Sequence, residues 1–278
     1  MQIRRSTLNT LYGLTRRELD VFFYLVRYQD ANGYVPGVHG RTVCDQTGIC
    51  KQTFYNVLKS LQEKGLIVYE QSFKGDYDVC VLENREYQRE ERASYVNLNR
   101  KIFQDPAFLK MKAKEKLLLL ELYYSVSCNR EKRVIGLQKF YEKYTKLLQV
   151  TEKMLRGYLH TLRKYFHVYL KAGKYYISCV KKWFEEEHNI RMQRAASDQL
   201  QEYQTEVLLR RSGVKRKNPE EVKELIKVRR QYAKRIRQLG FEVDQVFREC
   251  IRKSIRKDKW KALNSRYVHK LVKGFLEA

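Results

Sequence analysis

The chain of 278 residues has no apolar stretch long enough to cross a bilayer. Its longest strongly apolar run, at 117–120, falls far short of the roughly 20 residues a membrane helix needs. The opening MQIRRSTLNTLYGL also lacks the apolar segment of a secretory signal. The six cysteines are Cys44, Cys50, Cys80, Cys128, Cys179 and Cys250, and no two form a CxxC pair. Cys44 and Cys50 have no His/Cys cluster beside them, which argues against a zinc site. Scattered thiols of this kind suit the reducing cytoplasm, where they serve as small hydrophobes. The five histidines form neither H-x-H nor H-E-x-x-H, so no metal ligand pair is expected. Glu185, Glu186 and Glu187 would point in different directions on a helix, which reads as a charge cluster. GYVPGVHGRT lacks the G-x-x-x-x-G-K-[ST] spacing that cradles phosphates, which argues against a nucleotide-driven motor. Among the 21 tyrosines, Tyr158 and Tyr165 lie near basic residues, but no activating geometry accompanies them. The chain therefore reads as a non-enzyme without cofactor.

What is present is positive charge, 57 Lys/Arg against 32 Asp/Glu, a net of +25. Residues 1–92 carry 13 against 12, residues 93–199 carry 22 against 10, and residues 200–278 again 22 against 10. An excess of this size attracts polyanions, nucleic acid above all. With hydrophobic residues at 43% and aromatics at 13%, packed cores are also expected.

Read along the chain, LTRRELDVFFYLVRYQ predicts a helix. Thr15 caps it, Glu18 completes a capping box, and Leu19, Phe22, Phe23 and Val26 form its apolar stripe. GYVPGVHGR is loop or short strand, and RTVCDQT a short helix ending at Gly48. In TGICKQTFYNVLKSLQEKGLIVYEQ, Phe54, Val57, Leu58 and Leu61 stand at i, i+3, i+4 and i+7. The opposite face shows Lys51, Gln52, Thr53, Tyr55, Asn56 and Lys59. Gly65 stops this helix, and residues 66–73 and 77–82 read as a hairpin turning at Lys74-Gly75-Asp76.

The same order returns about a hundred residues later. VTEKMLRGYLHTLRKYFHVYLKAG lies over ICKQTFYNVLKSLQEKGLIVYEQS without a gap, matching Leu155 to Phe54, Leu159 to Leu58 and Leu162 to Leu61. MKAKEKLLLLELYYSV lies over LTRRELDVFFYLVRYQ, and YYISCV closes a second hairpin. Such a repeat predicts a duplicated architecture. The rest is helical. One stripe carries Met192, Ala196, Leu200, Tyr203 and Val207, a face for a second copy of the chain or for its own domain. A linker at 212–218 follows. Asn218, Pro219, Glu221 and Gly240 then bound another helix, and two more are expected beyond it.

The order helix–helix–turn–helix–hairpin resembles the winged helix–turn–helix family of DNA-binding domains, through TGICKQTFYNVLKSLQEKGLI and LLQVTEKMLRGYLHTLRKYF. The tandem arrangement, with SYVNLNRKIFQDPAFLKMKAKEKLLLLELYYSV, is similar to plasmid and mobile-element replication initiators. The resemblance implies a mainly α fold with small β-hairpins. A first winged-helix domain would span 1–92, a second 93–182, and a basic helical region 183–278. It implies a sequence-specific binder of double-stranded DNA, acting in replication initiation or transcription regulation. Lys51, Gln52, Thr53, Tyr55, Asn56 and Lys59 of the first recognition helix would face the duplex. So would Lys153, Arg156, His160, Arg163 and Lys164 of the second, with Lys171 and Lys174 at the wing tip. Implied partners are the replication or transcription machinery and a second copy through 183–211, with no membrane. The alternative is an interaction scaffold whose winged units bind protein and whose basic tail binds RNA or an acidic partner.

Overall fold

Thr15 opens a helix as its sequence demands. In the computed structural model its hydroxyl accepts from the Glu18 N–H at 3.3 Å, and the Glu18 carboxylate accepts from the Thr15 N–H at 2.6 Å. The structure describes every residue except 1, 31, 74, 83–94, 98–101, 103–104, 128–131, 181–182, 184–189, 257–259 and 278. The expected domain boundary at 92/93, the turn residue Lys74 and the Glu185–187 run lie outside the described residues. So do the side chains of Met192 and Ala196. The described fold is mostly helical, with two small antiparallel three-stranded sheets.

The first module runs β1 (Gln2–Arg4), α1 (Arg5–Leu11), α2 (Arg16–Tyr28), β2 (Tyr34–His39), α3 (Gly40–Thr47), α4 (Lys51–Glu63), β3 (Ile67–Phe73) and β4 (Asp76–Val81). The second runs β5 (Tyr95–Asn97), α5 (Pro106–Lys110), α6 (Ala113–Ser127), β6 (Lys132–Gly136), α7 (Leu137–Leu148), α8 (Glu152–Leu162), β7 (Phe166–Lys171) and β8 (Lys174–Cys179). Strand order is β2-β4-β3 in one module and β6-β8-β7 in the other. Each hairpin has thus gained a third strand, contributed from before α3 or α7. In β2 the register slips between Val35 and Val38, which lets Pro36 sit in a strand without breaking a regular ladder. Gly37 takes a left-handed backbone there (φ 64) and donates its N–H to Asp78 Oδ1 at 2.8 Å.

The two modules share one compact unit, residues 1–192. β1 and β5 pair antiparallel, Ile3 opposite Val96, and the Phe23 and Phe108 rings stand 5.7 Å apart. The seam is also charged. Lys116 occupies the position in α6 that Leu19 holds in α2, and it is as buried, at 1% exposure. A lysine there needs a counter-ion, and Asp20 of α2 supplies it. Burial still pulls the Lys116 ammonium below the ordinary lysine range, against the pull of Asp20. Farther along α6, the buried Glu121 accepts from the Arg5 guanidinium and the Tyr12 hydroxyl.

Residues 193–278 form a second compact unit. Its helices are α9 (Ile190–Ser212) from residue 193 onward, α10 (Pro219–Gln238), α11 (Val243–Arg256) and α12 (Ser265–Glu277). Their core includes Leu208, Leu209, Leu225, Phe247, Ile251 and Val268. Val207, expected on the α9 stripe, is buried within the chain. Asn218 caps α10 and Pro219 opens it, but Glu221 accepts from the Ser265 N–H at 2.6 Å and so ties the start of α12 to α10. No helix among the described residues is long and apolar enough to cross a membrane.

The seam can be tested through its buried pair. Removing one partner of a buried pair leaves an uncompensated charge, so Asp20→Ala should cost about 3 kcal/mol. The apolar double variant Asp20→Leu/Lys116→Met should regain most of that. Urea denaturation of the full chain measures both.

Candidate nucleic-acid interface

Two helices turn an apolar stripe inward and a polar face outward. In α4 the stripe is Phe54, Val57, Leu58 and Leu61; in α8 it is Leu155, Tyr158, Leu159 and Leu162. All eight are buried. Tyr158 therefore packs inside, at the position Val57 holds in the first module, and Tyr165 is fully buried with its hydroxyl on Asp105.

Each of these helices is fastened to the start of an earlier one by a single carboxylate. Glu18 accepts the Thr15 N–H through Oε2, and through Oε1 it accepts from Ser60 of α4 and from Lys64 just beyond it, the latter at 2.7 Å. Glu115 repeats this in the second module. Its Oε2 accepts the Lys112 N–H at 2.8 Å, and its Oε1 accepts from Thr161 of α8 at 3.3 Å. Burial opposes the charge on Glu18, but the bonds from Lys64, Ser60 and Thr15 outweigh it and hold its carboxyl down at about 2.

On the outward face of α8, Lys153, Arg156 and His160 are exposed, as is Arg163 at its C-terminal cap. After this helix, β7 and β8 turn through Ala172 and Gly173. Both are left-handed (φ 47 and 69), the two-residue turn whose twist suits a hairpin. Lys171 and Lys174 face each other across that turn and are exposed. Arg156 is held rather than loose. Its Nε donates to the Tyr141 hydroxyl at 3.1 Å, and Tyr141 in turn is 2.9 Å from the Tyr175 hydroxyl. Glu152 sits 3.6 Å from the far side of the same guanidinium. Burial, reinforced by Tyr141, pushes the Tyr175 hydroxyl up to about 12, so it stays protonated.

Lys164 stands differently from its neighbours. Its ammonium is 2.6 Å from Asp105 and lies over the Trp183 ring. Asp105 caps α5 and also accepts from the Tyr165 hydroxyl. Burial opposes its ionisation, but Lys164 and Tyr165 prevail and lower its carboxyl. Lys164 thus serves the second module's own scaffold. The sequence reading missed Tyr141, Tyr175 and Asp105, because each acts through a partner distant in the chain.

On α4, Lys51, Gln52, Asn56 and Lys59 are exposed, and Thr53 and Tyr55 are half-buried. Gln52 donates to Asn56 Oδ1 at 3.1 Å, one turn along the helix. Thr53 is engaged by the Cys50 thiol at 3.1 Å, and Tyr55 belongs to a ring cluster with Phe54 and Tyr77. Lys59 is 3.7 Å from Glu63. Hence α4 offers amides and few free cations, and α8 offers cations. Among the described residues, no group of three or more His, Cys, Asp or Glu side chains gathers as a metal site would require. No family model matches the chain, and no curated protein or solved structure matches it significantly.

The Glu18 carboxyl gives an acid signature. Its pKa in the folded state lies below the ordinary 4.5, so its stabilisation is complete above that value and is lost as pH falls toward about 2. Over that window the melting temperature of the natural chain should fall more steeply than that of Glu18→Gln. Thermal melts of both chains across the window measure the difference.

Proposed function

We propose that the chain is a cytoplasmic, sequence-specific binder of double-stranded DNA, built from two tandem winged helices. It would act in replication initiation of a plasmid or mobile element, or in transcription regulation. The observation that carries this reading is the outward face of α8. Exposed Lys153, Arg156 and Arg163 share one face of a helix whose opposite side is buried, and the hairpin that follows ends in the exposed Lys171–Lys174 turn.

The chemistry follows from the shape of the duplex. The major groove admits one helix, and its base edges differ for each base pair. On this reading α8 enters the groove while Lys171 and Lys174 meet the adjacent phosphates. The Tyr141 bond orients Arg156 at Nε and leaves its terminal nitrogens to exchange Glu152 for a guanine edge or a phosphate. The α4 face is suited to a different part of the task. The paired Gln52 and Asn56 amides can each grip adenine, and the near-neutral first module adds little attraction to phosphate. Affinity would come mainly from the second module, with base discrimination shared by both.

The test is selection of bound fragments from genomic DNA, followed by titration of the selected site. Direct repeats beside an origin would mark an initiator, and an inverted repeat over a promoter would mark a repressor. Arg156→Ala should weaken the selected site about tenfold, the scale of one good base contact. Lys153→Ala should weaken all duplexes alike and reduce the slope of log affinity against log salt by about 0.9. Absence of duplex binding at low salt, or a triple Lys153/Arg156/Arg163→Ala variant that binds as the natural chain does, would refute the reading.

A further inference from the structure

The helical unit displays an indole that its own core does not absorb. Trp260 is 56% exposed, although the unit has a large apolar core. The Arg216 guanidinium lies 4.2 Å from the centroid of its ring, well within cation–π range. Leaving so much aromatic surface in water forgoes the gain of burial. The backbone beneath it is nevertheless fixed. Lys215 donates its N–H to the Lys261 carbonyl at 3.0 Å, Leu263 donates to the Arg216 carbonyl at 3.0 Å, and Arg216 pairs with Ala262 in a parallel bridge. Lys261 holds a left-handed conformation (φ 49), which a residue with a side chain seldom adopts. Buried Leu263 anchors the segment from below.

These bonds lay two short segments side by side, GVKRK at 213–217 and WKAL at 260–263. Together they contain Lys215, Arg216, Lys217 and Lys261. Lys217 is paired with Glu206; Lys215 and Lys261 are exposed. A flat aromatic face among cations matches one ligand chemistry, an unpaired base carrying a phosphate. Stacking on an aromatic ring needs the face of the base, which a duplex conceals and a single strand presents.

We infer that Trp260 and Arg216 form a stacking platform for single-stranded nucleic acid, with Lys215 and Lys261 meeting its phosphates. The platform lies wholly within the helical unit and does not depend on the reading of α4 and α8 as duplex readers. Because every base has a ring face, it would bind with little sequence preference. Backbone contacts by cations would make that binding sensitive to salt.

The test uses the full chain carrying Trp183→Phe, which leaves Trp260 as its one tryptophan. Its fluorescence is titrated with oligo(dT) and oligo(U) of about 20 nucleotides, longer than typical single-strand sites. A blunt duplex and vesicles containing phosphatidylserine serve as comparisons. Either oligonucleotide should quench Trp260 at low salt, and the tighter of the two identifies DNA or RNA as the source. Trp260→Ala should weaken that binding about tenfold, the effect of losing one stacked base. Trp260→Phe should retain most of it, and duplex affinity should stay unchanged in both. Thermal melts of the exposed-site variants should match the parent, which separates lost stacking from lost folding. The platform is refuted if neither oligonucleotide quenches Trp260, if Trp260→Ala binds as the parent does, or if only the vesicles produce the quench.

Discussion

One carboxylate at the start of a helix organises each module. Glu18 and Glu115 both use one oxygen to satisfy a backbone N–H that their own helix leaves unpaired, and the other to hold the helix that presents its polar face outward. The chemistry favours a charged acceptor for this task. A carboxylate has two oxygens and no donor, so it can face donors on both sides without frustration. Burial raises the stakes, because a carboxylate deprived of those donors would be a desolvated charge. The first module invests more in this fastening, with Lys64 added as a cation. The second relies on the hydroxyl of Thr161, and its outward helix gains a separate brace in the Tyr175–Tyr141–Arg156 chain.

These fastenings combine with the seam into one continuous path. α4 is held to α2 by Glu18, α2 meets α6 through Asp20 and Lys116, and α6 holds α8 by Glu115. The β1–β5 ladder adds a second crossing. On the proposed reading, two outward faces joined in this way would approach a partner as one body, so little orientation would be lost on binding and the distance between them would be set before contact. That arrangement suits a ligand with a fixed repeat more than one that varies. It also explains how a lysine comes to occupy the position of a core leucine. Lys116 favours the docking in which Asp20 meets its charge, with the Leu109 carbonyl as a further acceptor.

The parts of this architecture legible in the sequence are those written locally. The stripes of α4 and α8, the Thr15–Glu18 box and the two hairpin turns each follow from residues within about one helical turn or one strand of each other. The ungapped overlay of 150–173 on 49–72 also carried real information, because it aligns Ser60 with Thr161, and the upstream overlay aligns Glu18 with Glu115. The latch was therefore present as a pattern before it was visible as a contact. The third strands were harder. β2 contains Pro36 and a register slip, and β6 has only five residues, so neither shows clean alternation. α7 carries a readable stripe in Phe140, Tyr141, Tyr144 and Leu148, all buried. Lys164 could not be separated from its neighbours at all. Only the fold brings it to Asp105, 59 positions away.

Charge distribution gives the last step. Attraction to a polyanion is long-ranged and depends on net charge, whereas discrimination depends on hydrogen-bond geometry at contact. This chain places its excess charge and the exposed amides of α4 in different stretches. Residues 1–92 are almost balanced and expose amides on α4; residues 93–278 hold nearly all of the excess. A protein that needed only adhesion to nucleic acid would have no reason to keep one module neutral. On the proposed reading, a near-neutral module would hold a duplex weakly by itself, but fastened to a cationic one it would add selectivity without adding indiscriminate affinity. On the proposed reading, the seam built around Lys116 and Glu121 would make that division workable, because it would carry the neutral face to a ligand that the charged face had captured.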